Sequence, residues 1–168
     1  TSNVPIPRQH VRSLLLSAVH DPSAISWGVS LKDFSVGEGV VRCVLSDGEE
    51  LECDLLVGCD GVHSLVRKKI WGQEAQYLGV YAINGIGSYE REHASMLEDR
   101  VFQVLDGTQR VFVKPFLEGQ SMWQLTFPVE HNSEEENKLR SWIQDGRRDL
   151  MLAEARARMQ AFSHPGLQ

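Results

Sequence analysis

Apolar and polar positions follow two textures along this chain. Over residues 5–19, Val11, Leu14, Leu15, Ala18 and Val19 recur at three- and four-residue spacing behind a proline, which predicts an amphipathic helix. His20-Asp21-Pro22 stops it, because the residue before proline avoids helical backbone. Residues 25–34 alternate loosely and predict a strand. Residues 40–45 and 50–55 alternate around Ser46-Asp47-Gly48, a hairpin signal. On the return strand Leu51, Cys53 and Leu55 share one face and Glu50, Glu52 and Asp54 the other. One face is therefore wet, as suits an antiparallel meander. An apolar run at 55–57 then reads as a buried strand, which a turn joins to a short basic helix over 64–70.

Past that helix the texture changes. Residues 77–88, 100–105, 109–115 and 121–128 read as strands, with turns at Asp106-Gly107 and Glu118-Gly119, and predict a second antiparallel sheet. Residues 134–144 and 149–162 read as helices broken at Asp145-Gly146. Leu139, Trp142 and Ile143 give the first of them an apolar stripe, assigned to the core. The acidic run Glu134-Glu135-Glu136 is explained by the dipole at a helix start.

Composition narrows the class. The 168 residues suffice for a sizeable core, and 42% hydrophobic with 24% charged content is that of a globular chain. A net charge of −6 argues against a nucleic-acid partner, and Arg67-Lys68-Lys69 and Arg147-Arg148 are short basic clusters. Cys43, Cys53 and Cys59 form no C-x-x-C pair, so neither a disulfide framework nor a zinc site is expected. Reduced thiols suit an intracellular, cytoplasmic setting. No apolar stretch approaches the roughly 20 residues of a membrane span, and no signal peptide is visible. The chain starts Thr-Ser-Asn without Met and reads as an internal piece of a longer protein, so a targeting segment could lie outside it.

The chemistry concentrates in residues 51–70, LECDLLVGCDGVHSLVRKKI. A strand that ends at Gly58 and passes through Cys59-Asp60-Gly61 into a helix start offers backbone N–H groups and a helix dipole to an anion. Asp60 then stands at the carboxyl end of the strand, where open α/β sheets bind ligands. The same residues also describe an ordinary Asp-Gly turn with Ser64 as helix cap.

The whole string, through Asp54, Gly58, Asp60, Gly61, Ser64 and Arg67, resembles the "DG" fingerprint of the FAD-dependent aromatic hydroxylases, the single-component flavoprotein monooxygenases similar to para-hydroxybenzoate hydroxylase. A second string, Ile6-Pro7-Arg8 through Val11 to Leu15, resembles that family's I-x-R-x-x-L-x-x-x-L segment, with Val11 where Leu is usual. In the family this arginine contacts FAD, and a guanidinium fork suits phosphate or ribose oxygens.

The resemblance implies an α/β (α+β) fold: part of a Rossmann-like FAD-binding domain with a β-meander, then an antiparallel substrate-domain sheet and C-terminal helices. It divides the chain into 1–75, 76–130 and 131–168, the last leading back toward the FAD domain. It implies FAD as cofactor, NADPH or NADH as electron donor, and dioxygen. The implied reaction is hydroxylation or epoxidation of an electron-rich small organic substrate through a flavin hydroperoxide. The cofactor carries that chemistry, so no side chain here is assigned a catalytic role. Arg8, Asp60, Gly61 and Arg67 are the cofactor-binding candidates. On the sheet, Tyr81, Asn84, Gln103, Trp123 and Gln124 are candidates for facing the flavin. Alternation groups Gln103 with Leu105 against Val104 and leaves open which face is wet.

Some parts are not in the chain. A Rossmann FAD site needs a G-x-G-x-x-G turn for the pyrophosphate. Gly85-Ile86-Gly87 is followed by Glu90 at the third glycine's place, and Gly37-Glu38-Gly39 by Arg42. The family's later Gly-Asp segment would fall beyond Gln168. The expectation is a fragment inactive alone, which binds FAD weakly or not at all. The alternatives are another flavin oxidoreductase with the same FAD domain, a reductase or a halogenase, or a non-catalytic α+β domain that binds a partner through its sheet. Trp123-Gln124-Leu125 does not supply a halogenase's W-x-W-x-I-P.

Overall fold

The computed structural model describes residues 6–89, 100–160 and 162. Pro5 and Ala161, at the edges of two predicted helices, lie outside them. The chain forms two compact units, Leu15–Gln76 and Tyr77–Gln168, the latter joined by Thr1–Leu14.

The helix α1 (Arg8–Ser17) forms as its spacing predicts, but it buries no residue. Val11 is 41% exposed and Leu14 and Leu15 are each 67% exposed, so its apolar stripe has no core of described residues to face. Asp21 then accepts the Ser23 N–H at 2.9 Å and caps a single 3₁₀ turn at Pro22–Ala24.

In the unit Leu15–Gln76 the meander is β1 (Leu31–Val36), β2 (Val41–Leu45) and β3 (Glu50–Cys53), antiparallel in that order. The strand expected over 25–34 starts later. Its partner β2 ends at Leu45, opposite Leu31, and turns at Ser46, whose N–H still bonds the Ser30 carbonyl, so residues before 30 have no ladder to join. Phe34 lies opposite Cys43, and these two with Val66 make a small core. Val66 comes from α2 (Leu65–Trp71), which Lys69 fastens to β1 by bonding the Asp33 carboxylate and the Phe34 carbonyl. All three cysteines are free thiols.

The apolar run at 55–57 is a correction. It pairs with no strand among the described residues, and Leu55 and Val57 are 75% and 68% exposed. Only Leu56 packs against the small core. A central parallel strand needs neighbours on both sides, and the meander supplies none here.

In the other unit, β4 (Val80–Ser88), β5 (Phe102–Leu105), β6 (Arg110–Pro115) and β7 (Gln120–Pro128) form an antiparallel sheet in the order β4-β7-β6-β5. One face packs on α3 (Glu134–Gln144) and α4 (Arg148–Met159), burying Ile83, Val111, Leu125 and Phe127 with Leu139 and Ala155. Trp142 joins this core, while Ile143, expected in it, is 56% exposed.

The acidic run also divides. Glu136 is 1% exposed and accepts the Asn132 N–H at 2.6 Å and both the Nε and Nη2 groups of Arg140 at 2.9 and 2.6 Å. Burial pushes its carboxyl pKa up, but the Asn132 N–H and Arg140 outweigh that and hold it below the usual range.

Candidate functional site

The turn at 58–67 is built by three local choices. An added Cβ on Gly58 would stand 2.8 Å from Val66 Cβ, so glycine is what lets the extended segment pass against α2. Gly61 has φ +77°, the left-handed region that tightens the entry to the helix, with open space beside it. Ser64 is the N-cap and accepts the Arg67 N–H at 2.9 Å.

Asp60 completes the cap. Its Oδ2 accepts the N–H groups of Leu65 at 2.7 Å and Val66 at 3.3 Å. The Ser64 side chain, against an opposing push from burial and aided by those N–H groups, holds the Asp60 carboxyl below its usual pKa. The first N–H groups of α2 are thus taken by Asp60 and Ser64. The helix start therefore offers its dipole, not a row of free donors, to a ligand.

What faces outward is a set of basic side chains. A pocket of about 400 Å³ is lined by His63, Ser64, Arg67, Lys68, Gln73 and Glu74 with Ala75. Glu74 pairs with Lys68, while the Arg67 guanidinium donates to the Val62 carbonyl and has no carboxylate partner among the described residues. Such a pocket suits phosphate oxygens, held by side-chain cations. These residues therefore fit one edge of an FAD or nicotinamide site, while the glycine-rich pyrophosphate turn of such a site has no counterpart in the sequence.

Asp60, Gly61 and Arg67 are brought together on this one turn. Arg8 opens α1 in the other unit, is exposed, and forms no ion pair among the described residues.

The sheet decides which face is open. Tyr81, Val104 and Trp123 pack against the helix-covered core, which places Tyr81 and Trp123 on the side away from Asn84, Gln103 and Gln124. Asn84, Gln103 and Gln124 lie on the other face, where Gln124 Nε2 donates to Asn84 Oδ1 at 2.9 Å. The register puts Phe112 between Gln124 and Gln103, and Arg110 between Thr126 and Leu105. Sequence reasoning missed Arg110 and Phe112. The signal was there: once Val111 and Val113 are assigned to the core, their neighbours in β6 must point to the open side.

The family model described as "FAD binding domain" matches residues 6–164. The chain belongs to this FAD-binding family. Its likeness to the FAD-dependent aromatic hydroxylases and monooxygenases therefore holds, as does the α+β reading of its fold. The zeaxanthin epoxidase (chloroplastic) of Oryza sativa subsp. japonica is 35% identical over 98 residues, 58% of this chain and 15% of that protein. The zeaxanthin epoxidase (chloroplastic) of Arabidopsis thaliana is 32% identical over 126 residues, 74% of this chain and 18% of that protein. The chain thus spans less than a fifth of the length of these two relatives. Among solved structures, a putative FAD-containing monooxygenase from Photorhabdus luminescens subsp. laumondii TTO1 shares the fold at a TM-score of 0.72. It is 18% identical over 96% of this chain and 46% of its own. No helix among the described residues is long and apolar enough to cross a membrane.

Proposed function

We propose that the chain is part of an FAD-dependent monooxygenase, which takes electrons from NADPH or NADH and uses dioxygen to hydroxylate or epoxidise an electron-rich small organic molecule. The observation that carries the reading is the self-capped turn at Asp60–Gly61 with the basic pocket of His63 and Arg67 beside it. FAD, when bound, supplies the redox chemistry that links nicotinamide oxidation to oxygen insertion.

The chain's own residues have binding and shaping roles. Arg67 offers positive charge, and His63 a ring nitrogen, to the phosphate oxygens of the flavin or nicotinamide cofactor. Asp60 and Gly61 fix the turn that positions them. Arg8 offers a guanidinium fork at a helix start for phosphate or ribose oxygens. The open sheet face, with its amide pair Asn84–Gln124, supplies a wall that turns water away from the substrate and gives it hydrogen bonds. The names of the relatives, zeaxanthin epoxidases, favour epoxidation as readily as ring hydroxylation.

The test is on the full-length protein. It should purify yellow and consume oxygen with NADPH or NADH faster when substrate is present. Arg67→Ala should raise KM for the nicotinamide while flavin content and Tm stay unchanged. A colourless protein that neither takes up FAD nor oxidises a nicotinamide would overturn the reading.

A further inference from the structure

Two of the three cysteines share one face of the meander. Cys43 is the middle residue of β2, and Cys53 is the last residue of β3. The register sets Cys43 opposite Leu51 and Cys53 opposite Val41. The two are therefore diagonal neighbours on the same face, close enough for their side chains to meet. Both belong to the small core: Cys43 is 5% exposed beside Phe34 and Val66, and the half-buried Cys53 packs against it. Cys59, by contrast, is exposed.

The two thiols differ in access. Burial first, and then a hydrogen bond with Cys53, push the Cys43 thiol above its usual pKa. Cys43 is thus slow to ionise and shielded from solvent, and its neighbour in the core is a second thiol. Cys53 ends β3, an edge strand, since the sheet runs β1-β2-β3. A small oxidant reaches it from the solvent side. Both are free thiols in this structure, so the reduced pair is the starting state.

We propose that Cys43 and Cys53, diagonal across β2 and β3, are a reversible dithiol–disulfide site whose oxidant is a hydroperoxide. The Cys53 thiolate attacks one peroxide oxygen and the O–O bond breaks, which leaves a sulfenic acid on Cys53. The hydroxide released takes up the proton that Cys53 lost and leaves as water. The Cys43 sulfur, already beside it, then attacks the Cys53 sulfur. The S–S bond forms, the S–O bond breaks, and the departing hydroxide takes the Cys43 proton as a second water. With hydrogen peroxide, two thiols and one peroxide give one disulfide and two waters; the sulfurs are oxidised and the peroxide oxygens reduced. A dithiol reductant reverses the step by exchange. Diagonal neighbours stand about 7–8 Å apart, and the Cα atoms of a disulfide about 4.4–6.8 Å, so one strand has to shift. β3 is the one free to do so, because it has a single neighbour and residues 54–57 behind it pair with no strand among the described residues. That shift is passed along the segment leading to Gly58 and Asp60. The site needs no flavin and stands apart from the function proposed above.

The full-length protein is treated with hydrogen peroxide, its remaining thiols are alkylated with iodoacetamide, and it is cut without reduction on the amino side of aspartate. Cuts before Asp33, Asp47, Asp54 and Asp60 place Cys43, Cys53 and Cys59 on separate peptides. The expected product is a linked pair of the Cys43 and Cys53 peptides, lighter by two hydrogens than its parts. It should form before any sulfinic acid and revert to two alkylated peptides after dithiothreitol. In Cys43→Ala the Cys53 peptide should instead carry a sulfenic acid that dimedone traps. In Cys53→Ala the Cys43 thiol should resist the same peroxide and alkylate only on unfolding. Oxidation of Cys59 that leaves Cys43 and Cys53 unlinked overturns the inference, as does a Cys53–Cys59 link formed in its place. A Cys43–Cys53 link that forms only in urea would mean that the fold keeps the two apart, and overturns it as well. Where a variant fails to fold, the peptide map of the unsubstituted protein decides alone.

Discussion

In the unit that holds the four-stranded sheet, eight described residues are buried together, and Val111, Leu125 and Leu139 have no exposed surface. In the meander unit the buried apolar residues are Phe34, Cys43 and Val66, at 5–9% exposure, while Leu55, Val57 and Trp71 are each more than 60% exposed. Both stretches have comparable apolar content in sequence. The difference is closure: two helices cover one face of the larger sheet, whereas the meander has only seven residues of α2 against it. The larger unit draws its stability from its own core. The smaller one depends on a few local devices: the Gly58–Val66 approach, the left-handed Gly61, and the Asp60–Ser64 cap.

Substitutions should separate the two. Leu139→Ala leaves a cavity in the closed core and should cost about 2–5 kcal/mol in denaturant unfolding. Its loss of hydrogen-exchange protection should fall on β4, β6 and β7 and spare the meander. Gly58→Ala forces a methyl against Val66 and should cost about 1–3 kcal/mol, with the loss confined to α2 and β1. Gly61→Ala meets open space, so only its φ is strained, at about 1–2 kcal/mol, and unfolding of α2 should report it. Equal and global effects from Leu139→Ala and Gly58→Ala would show one cooperative unit and break the comparison.

A pH titration probes the cap. The folded pKa of Asp60 is depressed, so its bonds to Leu65 and Val66 contribute fully above the unfolded carboxyl pKa of about 3.9. They are lost as pH falls through the lower folded value. The amide resonances of Leu65 and Val66 should move through that acid window, and Asp60→Asn should remove the transition. The smallest effect belongs to Val57→Ser, within about 0.5 kcal/mol, because that side chain is already in water. A large loss there would mean that the run at 55–57 is covered after all.

The second sheet was legible because its strands alternate and its turns carry glycine, so pattern and partner lie in the same segment. The hairpin at Ser46-Asp47-Gly48 was legible for the same reason. The strand expected at 55–57 was not, since an apolar run says that burial is needed without saying against what. The late start of β1 was hidden because a strand ends where its partner ends, a fact about β2 and not about residues 25–30. The string from Asp54 to Arg67 pointed to the right family. It could not show that Asp60 and Ser64 spend the helix's donors on themselves, because any anion could have taken those N–H groups. Arg110 was hidden until the core settled which face of β6 is open.

We propose that this chain holds part of a flavin site and a substrate wall, without the glycine-rich turn that grips the pyrophosphate. Titration of FAD into the purified 168-residue chain, followed by quenching of flavin fluorescence and by flavin retained after gel filtration, tests it most directly. The account expects no saturable binding at micromolar FAD and a colourless eluate, whereas tight one-to-one retention of FAD would contradict it.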